Sequence, residues 1–367
     1  MGSNTDTIQF NSTKTLSVPT KTHYTFEGWY IGNTQITTGN GKMLRNWSIA
    51  NNDSVLTAKW EAVTYTISFA NCETMSPIQV KYNTTITLPT PTSQYKYDTF
   101  ISWSYGGNDY TNSFTMPGGN IVMTAQWNNN GWTYISTKDE FRNINNNLSG
   151  KYCLKNDVNL GEWNPIGSYE WAKGETPTSC FSGEFDGDNN VISYTINIPA
   201  LNNEKSYGYG IFGSINNATI KNIEAKTSIS GKNTGGTCSY IGGIVGWAKN
   251  SQILNCTTSG SITQYYVGDA NYGVTRGGGI AGKAYSTTFK SCLNYAQIDT
   301  TSFNAYTAGI CPGIDDYCTF DNCTNKGKLS ASQEGWRYGS HEVYERSISM
   351  YKNKNHSAWG VNCQPWD

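Results

Sequence analysis

Apolar and polar residues alternate with a period of two through most of the chain, in short runs closed by Gly, Asn, Ser or Pro. Tyr65-Thr66-Ile67-Ser68-Phe69 and Val80-Lys81-Tyr82 are examples from the first third. Period-two alternation marks half-buried strands rather than helices. One segment departs from it. Thr137-Lys138-Asp139-Glu140 has the form of a capping box, and it predicts a short helix with Phe141 and Ile144 on one face. The pattern as a whole predicts an all-β protein of short strands and many turns.

Two related blocks occupy the first third. Ile8-Gln9-Phe10-Asn11 through Leu16-Ser17-Val18-Pro19-Thr20 matches Val80-Lys81-Tyr82-Asn83 through Ile86-Thr87-Leu88-Pro89-Thr90, with an insertion in the first copy. Phe26-Glu27-Gly28-Trp29 then answers to Phe100-Ile101-Ser102-Trp103, and Leu56-Thr57-Ala58-Lys59-Trp60 to Met123-Thr124-Ala125-Gln126-Trp127. A unit of about 65 residues buries little surface, so its paired Trp residues are expected to be core anchors rather than ligand platforms. These motifs resemble the Listeria–Bacteroides repeat of internalin-type bacterial surface proteins, over about residues 5–128. The resemblance implies small β-grasp-like modules of a surface stalk, with repeat 1 at 1–62 and repeat 2 at 63–128. Copy one lacks the opening strand that Tyr65–Phe69 supplies in copy two, as if the chain began inside a repeat; Met1-Gly2-Ser3 reads as an added scar.

A different periodicity begins at Gly210. Gly210-Ile211-Phe212-Gly213, Gly243-Ile244-Val245-Gly246 and Gly279-Ile280-Ala281-Gly282 recur, followed by Gly309-Ile310-Cys311-Pro312-Gly313 with one residue inserted. At fixed offsets behind them stand Ile220, Ile253, Phe289 and Phe320, then Ile223, Cys256, Cys292 and Cys323, then Ile229, Ile262, Ile298 and Leu329. Constant offsets between variable loops predict stacked coils whose equivalent inward side chains form ladders, each coil about 4.8 Å above the last. The offset of three between the first two sets cannot keep both on one face of a strand, so a corner must intervene. Asn222, Asn255, Ser291 and Asn322 occupy it. Asn tolerates the left-handed backbone such a bend requires, and stacked amides can bond along the column. The repeated Gly residues are expected where a side chain would clash.

This half resembles the GLUG-motif repeats of large secreted bacterial proteins, over about residues 132–331, with Tyr152–Asp157 and Trp163–Gly167 as the usual lead-in. The resemblance implies a parallel β-solenoid at 129–332, capped at its open end by the short helix. It implies no single activity. Residues 333–367 break the ladder and read as a C-terminal cap over the last coil.

Composition narrows the function. The 367 residues carry 26 Lys+Arg against 27 Asp+Glu with no basic run, which argues against nucleic-acid binding. No apolar stretch reaches about 18 residues, so no membrane insertion is expected. Twelve Trp and 25 Tyr exclude a disordered chain. The ten Cys show no CxxC pair and the three His stand apart, so neither zinc nor any other cofactor is expected. Cys256, Cys292 and Cys323 are expected as reduced, apolar fillers, whereas Cys311 and Cys318 bracket a turn and could bridge.

Candidate chemistry lies in loops between coils. The insertion from Gln264 to Tyr272 includes Tyr265, Tyr266, Asp269 and Tyr272, and Trp247 and Tyr285 fall near the same edge. Rings that stack on sugar faces beside hydroxyl-binding amides and carboxylates suit glycan recognition. Asp186-x-Asp188-Asn189 and Asp315-Asp316 could supply oxygen ligands for calcium, although Asp is expected in turns in any case. No repeated acidic set marks a catalytic groove. The sequence therefore points to a monomeric, non-catalytic, adhesin-like fragment at the bacterial surface or outside the cell, binding a glycan or a host or neighbouring-cell surface protein. The alternatives are a polysaccharide-active β-helix enzyme and a structural spacer of a larger secreted protease.

Overall fold

The computed structural model describes residues 5–49, 54–201, 205–233, 238–266, 274–302, 304–314, 317–333 and 341–344. The chain divides into two compact units, residues 1–130 and 131–367. It is all-β, 55% strand and 3% helix, and the second unit is a parallel β-solenoid of about five turns with one short helix before it.

In the first unit the two repeats share a core device. Repeat 1 has β1 (Tyr24–Ile31), β2 (Thr34–Gln35) and β3 (Thr57–Ala62) in the order β2-β1-β3. Repeat 2 has β4 (Thr64–Ala70), β5 (Ile78–Lys81), β6 (Thr85–Thr87), β7 (Thr99–Tyr105), β8 (Asn108–Tyr110), β9 (Ser113–Thr115) and β10 (Ile121–Asn128). Its main sheet runs β5-β4-β10-β7-β8, with β4 and β10 parallel at its centre, while β6 pairs with β9. The antiparallel pair β1–β3 answers to β7–β10, each with an irregularity opposite its Trp-bearing segment. Phe26 lies edge-on to Trp29 and Trp60 at 5.5 and 5.4 Å; Phe100 does the same to Trp103 and Trp127 at 5.6 and 5.5 Å. The Trp residues are thus core anchors, edge-to-face pairs of this kind adding about 0.5–1.5 kcal/mol each beyond burial.

The hydrogen bonds realign the two copies. Asn11 and Asn83 both turn with positive φ (58° and 60°), and Leu16 N and Leu88 N donate to Gly41 O and Asn112 O respectively. The Trp29 indole donates to Ser17 O and the Trp103 indole to Pro89 O. Leu16 therefore answers to Leu88, not Val18, and no insertion is needed there. Matching the two Pro residues misled because what the repeat preserves is a buried Leu followed by a carbonyl facing the indole.

In the second unit the coils place their strands in four sheets, parallel from coil to coil, with Glu170–Ala172 pairing antiparallel to Lys205–Tyr209 at the start of the six-stranded sheet. The seven-stranded sheet ends in the rungs Glu184–Asp186, Thr219–Lys221, Gln252–Leu254, Thr288–Lys290 and Thr319–Asp321. The eight-stranded sheet includes Val191–Leu201, Glu224–Asn233 and Thr257–Tyr266; the six-stranded sheet includes Lys205–Tyr209, Cys238–Gly242, Val274–Gly278 and Asn304–Ala308. The four-stranded sheet holds Phe212–Asn216, Val245–Lys249, Ala281–Tyr285 and Gly313–Ile314. The register follows the sequence offsets. Ile220, Ile253, Phe289 and Phe320 pair in succession, as do Ile229, Ile262, Ile298 and Leu329. Ile211, Ile244, Ile280 and Ile310 are fully buried, and main-chain bonds climb past them from Phe212 N to Ile244 O, Ile244 N to Ile280 O and Ile280 N to Ile310 O. Each such buried side chain stabilises the fold by about 1.5–3 kcal/mol.

The predicted corner is present. Asn222, Asn255, Ser291 and Asn322 all have φ between 50° and 55°. Asn255 Nδ2 donates to Asn222 Oδ1 at 3.2 Å, and Asn222 Nδ2 to Asp186 Oδ1 at 2.8 Å. The repeated Gly246 and Gly282 are required for space: a Cβ on Gly246 would overlap the Gly208 backbone of the preceding coil, and one on Gly282 the Tyr240–Ile241 backbone. At the entrance, Lys138–Arg142 forms helix α1, with Thr137 and Glu140 capping each other's backbone N–H groups and Phe141 fully buried. Of the region beyond 332, His341–Tyr344 pairs with Ala305–Ala308 and so continues the six-stranded ladder rather than breaking it; residues 345–367 lie outside the described residues.

Candidate functional site

The predicted patch is divided by the fold. Trp247 sits in the four-stranded sheet, only 4% exposed, between the rings of Trp171 at 6.5 Å and Tyr285 at 5.8 Å. Tyr285, half-buried, ends the next strand of the same sheet. Tyr265 stands on the eight-stranded sheet instead, exposed, opposite Lys232. Tyr266 follows it in the strand, but its side chain, with all of Asp269 and Tyr272, lies outside the described residues. The structure thus joins Trp247 to Tyr285 and places both apart in the fold from the strand of Tyr265. As a surface contact Trp247 is a correction: its ring fills a crevice between the six- and four-stranded sheets. Sequence spacing put Trp247 near the same edge as the Gln264–Tyr272 insertion, but could not show that it lies on a different sheet from Tyr265 or that a neighbouring sheet covers its ring.

What fills the crevice is a mixed aromatic and cationic stack. Along the six-stranded sheet the column reads Gly208, Tyr240, Arg276, Tyr306, one residue per coil. The Trp171 ring stacks on Tyr240 at 6.0 Å and 18°. The Arg276 guanidinium lies 5.6 Å from both Tyr240 and Tyr306, and Lys283 Nζ lies 5.0 Å from both Tyr240 and Tyr285. Both cations are buried. A cation over a ring contributes about 0.5–2 kcal/mol, more as water is excluded. Sequence reasoning missed Arg276 and Lys283; the signal was a basic residue at the ladder offset where the coil below has an aromatic.

Several buried thiols and one buried carboxylate are held by the solenoid. Cys256, Cys292, Cys311 and Cys323 are free thiols. The Cys311–Cys318 bridge that the sequence left open is not formed: both are free thiols, and Cys311, next to Ile310, is fully buried with its Sγ directed to Gly313 O at 3.3 Å. Burial pushes the Cys311 thiol well above its ordinary ionisation range. The hydrogen bond that Cys292 shares with Cys256 raises Cys292, and the one that Cys323 shares with Cys292 raises Cys323. All three stay protonated at neutral pH and are poor nucleophiles. Asp186, offered above as a calcium ligand, is fully buried; it accepts from Asp188 N and Asn222 Nδ2, both at 2.8 Å, and Lys221 Nζ lies 3.9 Å away. Asp315 and Asp316 lie outside the described residues. Among the described residues no group of three or more His, Cys, Asp or Glu side chains is placed to hold a metal, and no helix is long and apolar enough to cross a membrane.

One recess opens near the entrance of the solenoid. A cavity of about 460 Å³ is lined by Asn145, Leu148, Gly167, Ser168, Tyr169, Glu170 and Ser179. Glu170 forms an ion pair with Lys205, which raises the Lys205 pKa. Ser168 and Ser179 bond to each other across the rim. The lining is polar, with one exposed ring at Tyr169.

No family model matches the chain, and no curated protein matches it.

Among the described residues of the second unit, every exposed large apolar side chain is a tyrosine: Tyr169, Tyr265, Tyr295 and Tyr317, 42 to 77% exposed. A phenol offers a flat apolar face and a hydroxyl that both donates and accepts.

Proposed function

We propose that the chain acts at the bacterial cell surface or outside the cell as a non-catalytic, adhesin-like protein. Its paired repeats form part of a stalk, and its solenoid presents tyrosines to a glycan or to a protein on a host or neighbouring cell. The resemblance to internalin-type and GLUG-motif repeats supports this reading. The observation that carries it is the restriction of exposed apolar surface on the described solenoid to tyrosine. Several carboxylates of the solenoid are engaged between rungs: Glu184 and Asp186 with Lys221, Asp321 with Lys290, Glu170 with Lys205.

A glycan array with the whole chain tests the proposal, repeated with Tyr265→Ala and Tyr169→Ala. The expected result is a defined set of bound glycans, weakened about tenfold by at least one substitution, equivalent to about 1.4 kcal/mol. Cleavage of a polysaccharide would instead favour the enzyme. Binding of neither glycans nor cell surfaces would leave a spacer.

A further inference from the structure

The recess at the entrance of the solenoid is assembled from separate stretches of chain: 145–148, 167–170 and Ser179. The first begins in the short turn Asn143–Asn146 behind α1. The volume of about 460 Å³ falls within the roughly 300–1,000 Å³ of small-ligand sites. Its backbone is fixed from several sides. Gly167 N donates to Asn145 Oδ1 at 3.0 Å, Ser168 N to Ser179 O at 2.6 Å, and Ser179 N to Ser168 Oγ at 3.1 Å. Gly167 has φ 77°, and a Cβ there would stand 2.9 Å from Ser179 O and 3.0 Å from Ser214 O. Gly208 N donates to Tyr169 O at 2.9 Å, while Glu170 pairs with Tyr207 and Ala172 with Lys205. A ligand would meet a preformed wall, which avoids the cost of ordering a loop on binding.

The wall offers polar groups with spare capacity beside one ring. Glu170 commits Oε1 to Lys205, and no described residue takes its Oε2. Asn145 directs one amide N–H at Arg142 O, 3.4 Å away, and no described residue takes the second. The Tyr169 ring is 42% exposed, and half-buried Leu148 adds apolar surface. Acceptor, donor and flat apolar face together match a pyranose, which carries hydroxyls around its edge and C–H groups on its faces. Glu170 is the one charged residue in the lining, an anion that opposes a sugar acid. We infer that this recess binds one neutral hexopyranose unit, its C–H face on the Tyr169 ring, its hydroxyls donating to Glu170 and accepting from Asn145. The inference deepens the glycan reading of the solenoid and rests on it.

Free galactose, glucose, mannose and N-acetylglucosamine are the probes, with sialic and glucuronic acids as anionic arms. Each is titrated into the whole chain and followed by saturation-transfer NMR of the sugar protons. The expected result is saturable binding of at least one neutral sugar, weakened at least about tenfold by Tyr169→Ala and by Glu170→Ala. Tyr169→Phe, which keeps the ring, should lose less, and Tyr265→Ala, on the eight-stranded sheet, should bind as the parent does. Circular dichroism of each variant checks that the fold is retained. Sugar binding that survives both recess substitutions, or binding of the acids in preference, would overturn the inference and leave the proposed function standing. Absence of binding by every sugar would also overturn it, and adhesion of the whole chain to cells would then show whether the wider reading falls with it.

Discussion

The corner asparagines show how much one backbone conformation decides. At Asn222, Asn255, Ser291 and Asn322 the chain turns between two sheets with φ near 50°, where a side chain branched at Cβ clashes with its own carbonyl. Asn255→Val should therefore destabilise the second unit by about 1–3 kcal/mol in urea unfolding, and Asn255→Gly, which keeps the conformation but loses the amide bond, by less. A second corner was not legible. Asn217, Asn250 and Ser286 also adopt positive φ, between 44° and 57°; each stands three residues before Ile220, Ile253 or Phe289, an offset present in the sequence but marked there by no feature other than a polar residue. Glu140 supplies a pH-dependent contribution. Its carboxylate accepts from Ser136 N at 2.7 Å and Thr137 N at 3.1 Å, and these bonds hold it below its ordinary value of 4.5. The unfolded state then binds the proton first, so the helix cap is fully effective above about pH 4.5 and is lost as pH falls through the lower folded value. Acid unfolding of Glu140→Gln should accordingly show a weaker dependence on pH in that window than the parent chain.

At the scale of strands and columns, the sequence offsets predicted the coil well because each buried rung repeats one geometric requirement: an apolar side chain every coil, at constant distance from the glycines. The Ile211–Ile310 column and the Ile229–Leu329 column follow from that alone. The aromatic and cationic crevice did not, because its residues face away from the prism core and their burial depends on an adjoining sheet. Tyr240, Arg276 and Tyr306 share no residue type, yet they share a column. Trp247 separates the two cases experimentally. As a buried ring among Trp171, Tyr240 and Tyr285, its replacement by Ala should cost about 3–5 kcal/mol of stability. Tyr265→Ala, at an exposed position, should change stability by less than about 0.5 kcal/mol. Chemical unfolding of the two variants side by side checks the assignment of one to packing and the other to surface. The candidate site was legible only as a tendency toward exposed tyrosine. Which tyrosines face solvent is set by the sheets, and Asp269 and Tyr272 lie outside the described residues.

For the whole molecule, the buried acids set the response to alkali. Burial raises Tyr194 and Cys311 above their ordinary values of 10.0 and 9.0, and Cys292 is raised chiefly by its bond to Cys256. Each folded group keeps its proton after the unfolded chain has released its own. Stability is therefore fully present below about pH 9 and falls as pH rises beyond it, by about 1.4 kcal/mol per pH unit for each group that stays protonated. Thermal unfolding between pH 8 and 11 should show a steady loss, and iodoacetamide at pH 7.5 should leave Cys256, Cys292 and Cys311 unmodified until the protein unfolds. The division at residue 130 carries its own expectation: 131–367 contains a continuous core from Ile135 to Leu329 and should fold when produced alone, keeping its strand content by circular dichroism.

All of these expectations presuppose that equivalent residues of successive coils lie above one another. Lys151, Glu184, Thr219, Gln252, Thr288 and Thr319 pair in sequence along the seven-stranded sheet, and Lys151 and Thr319 are exposed. Spin labels carried on non-canonical side chains at 151 and 319 would report their separation by pulsed electron resonance. Five steps of about 4.8 Å predict a narrow distribution near 24 Å, contracting to about 14 Å when the first label is moved to 219. A broad distribution, or one that does not shorten with the number of coils removed, would contradict the stacked-coil account.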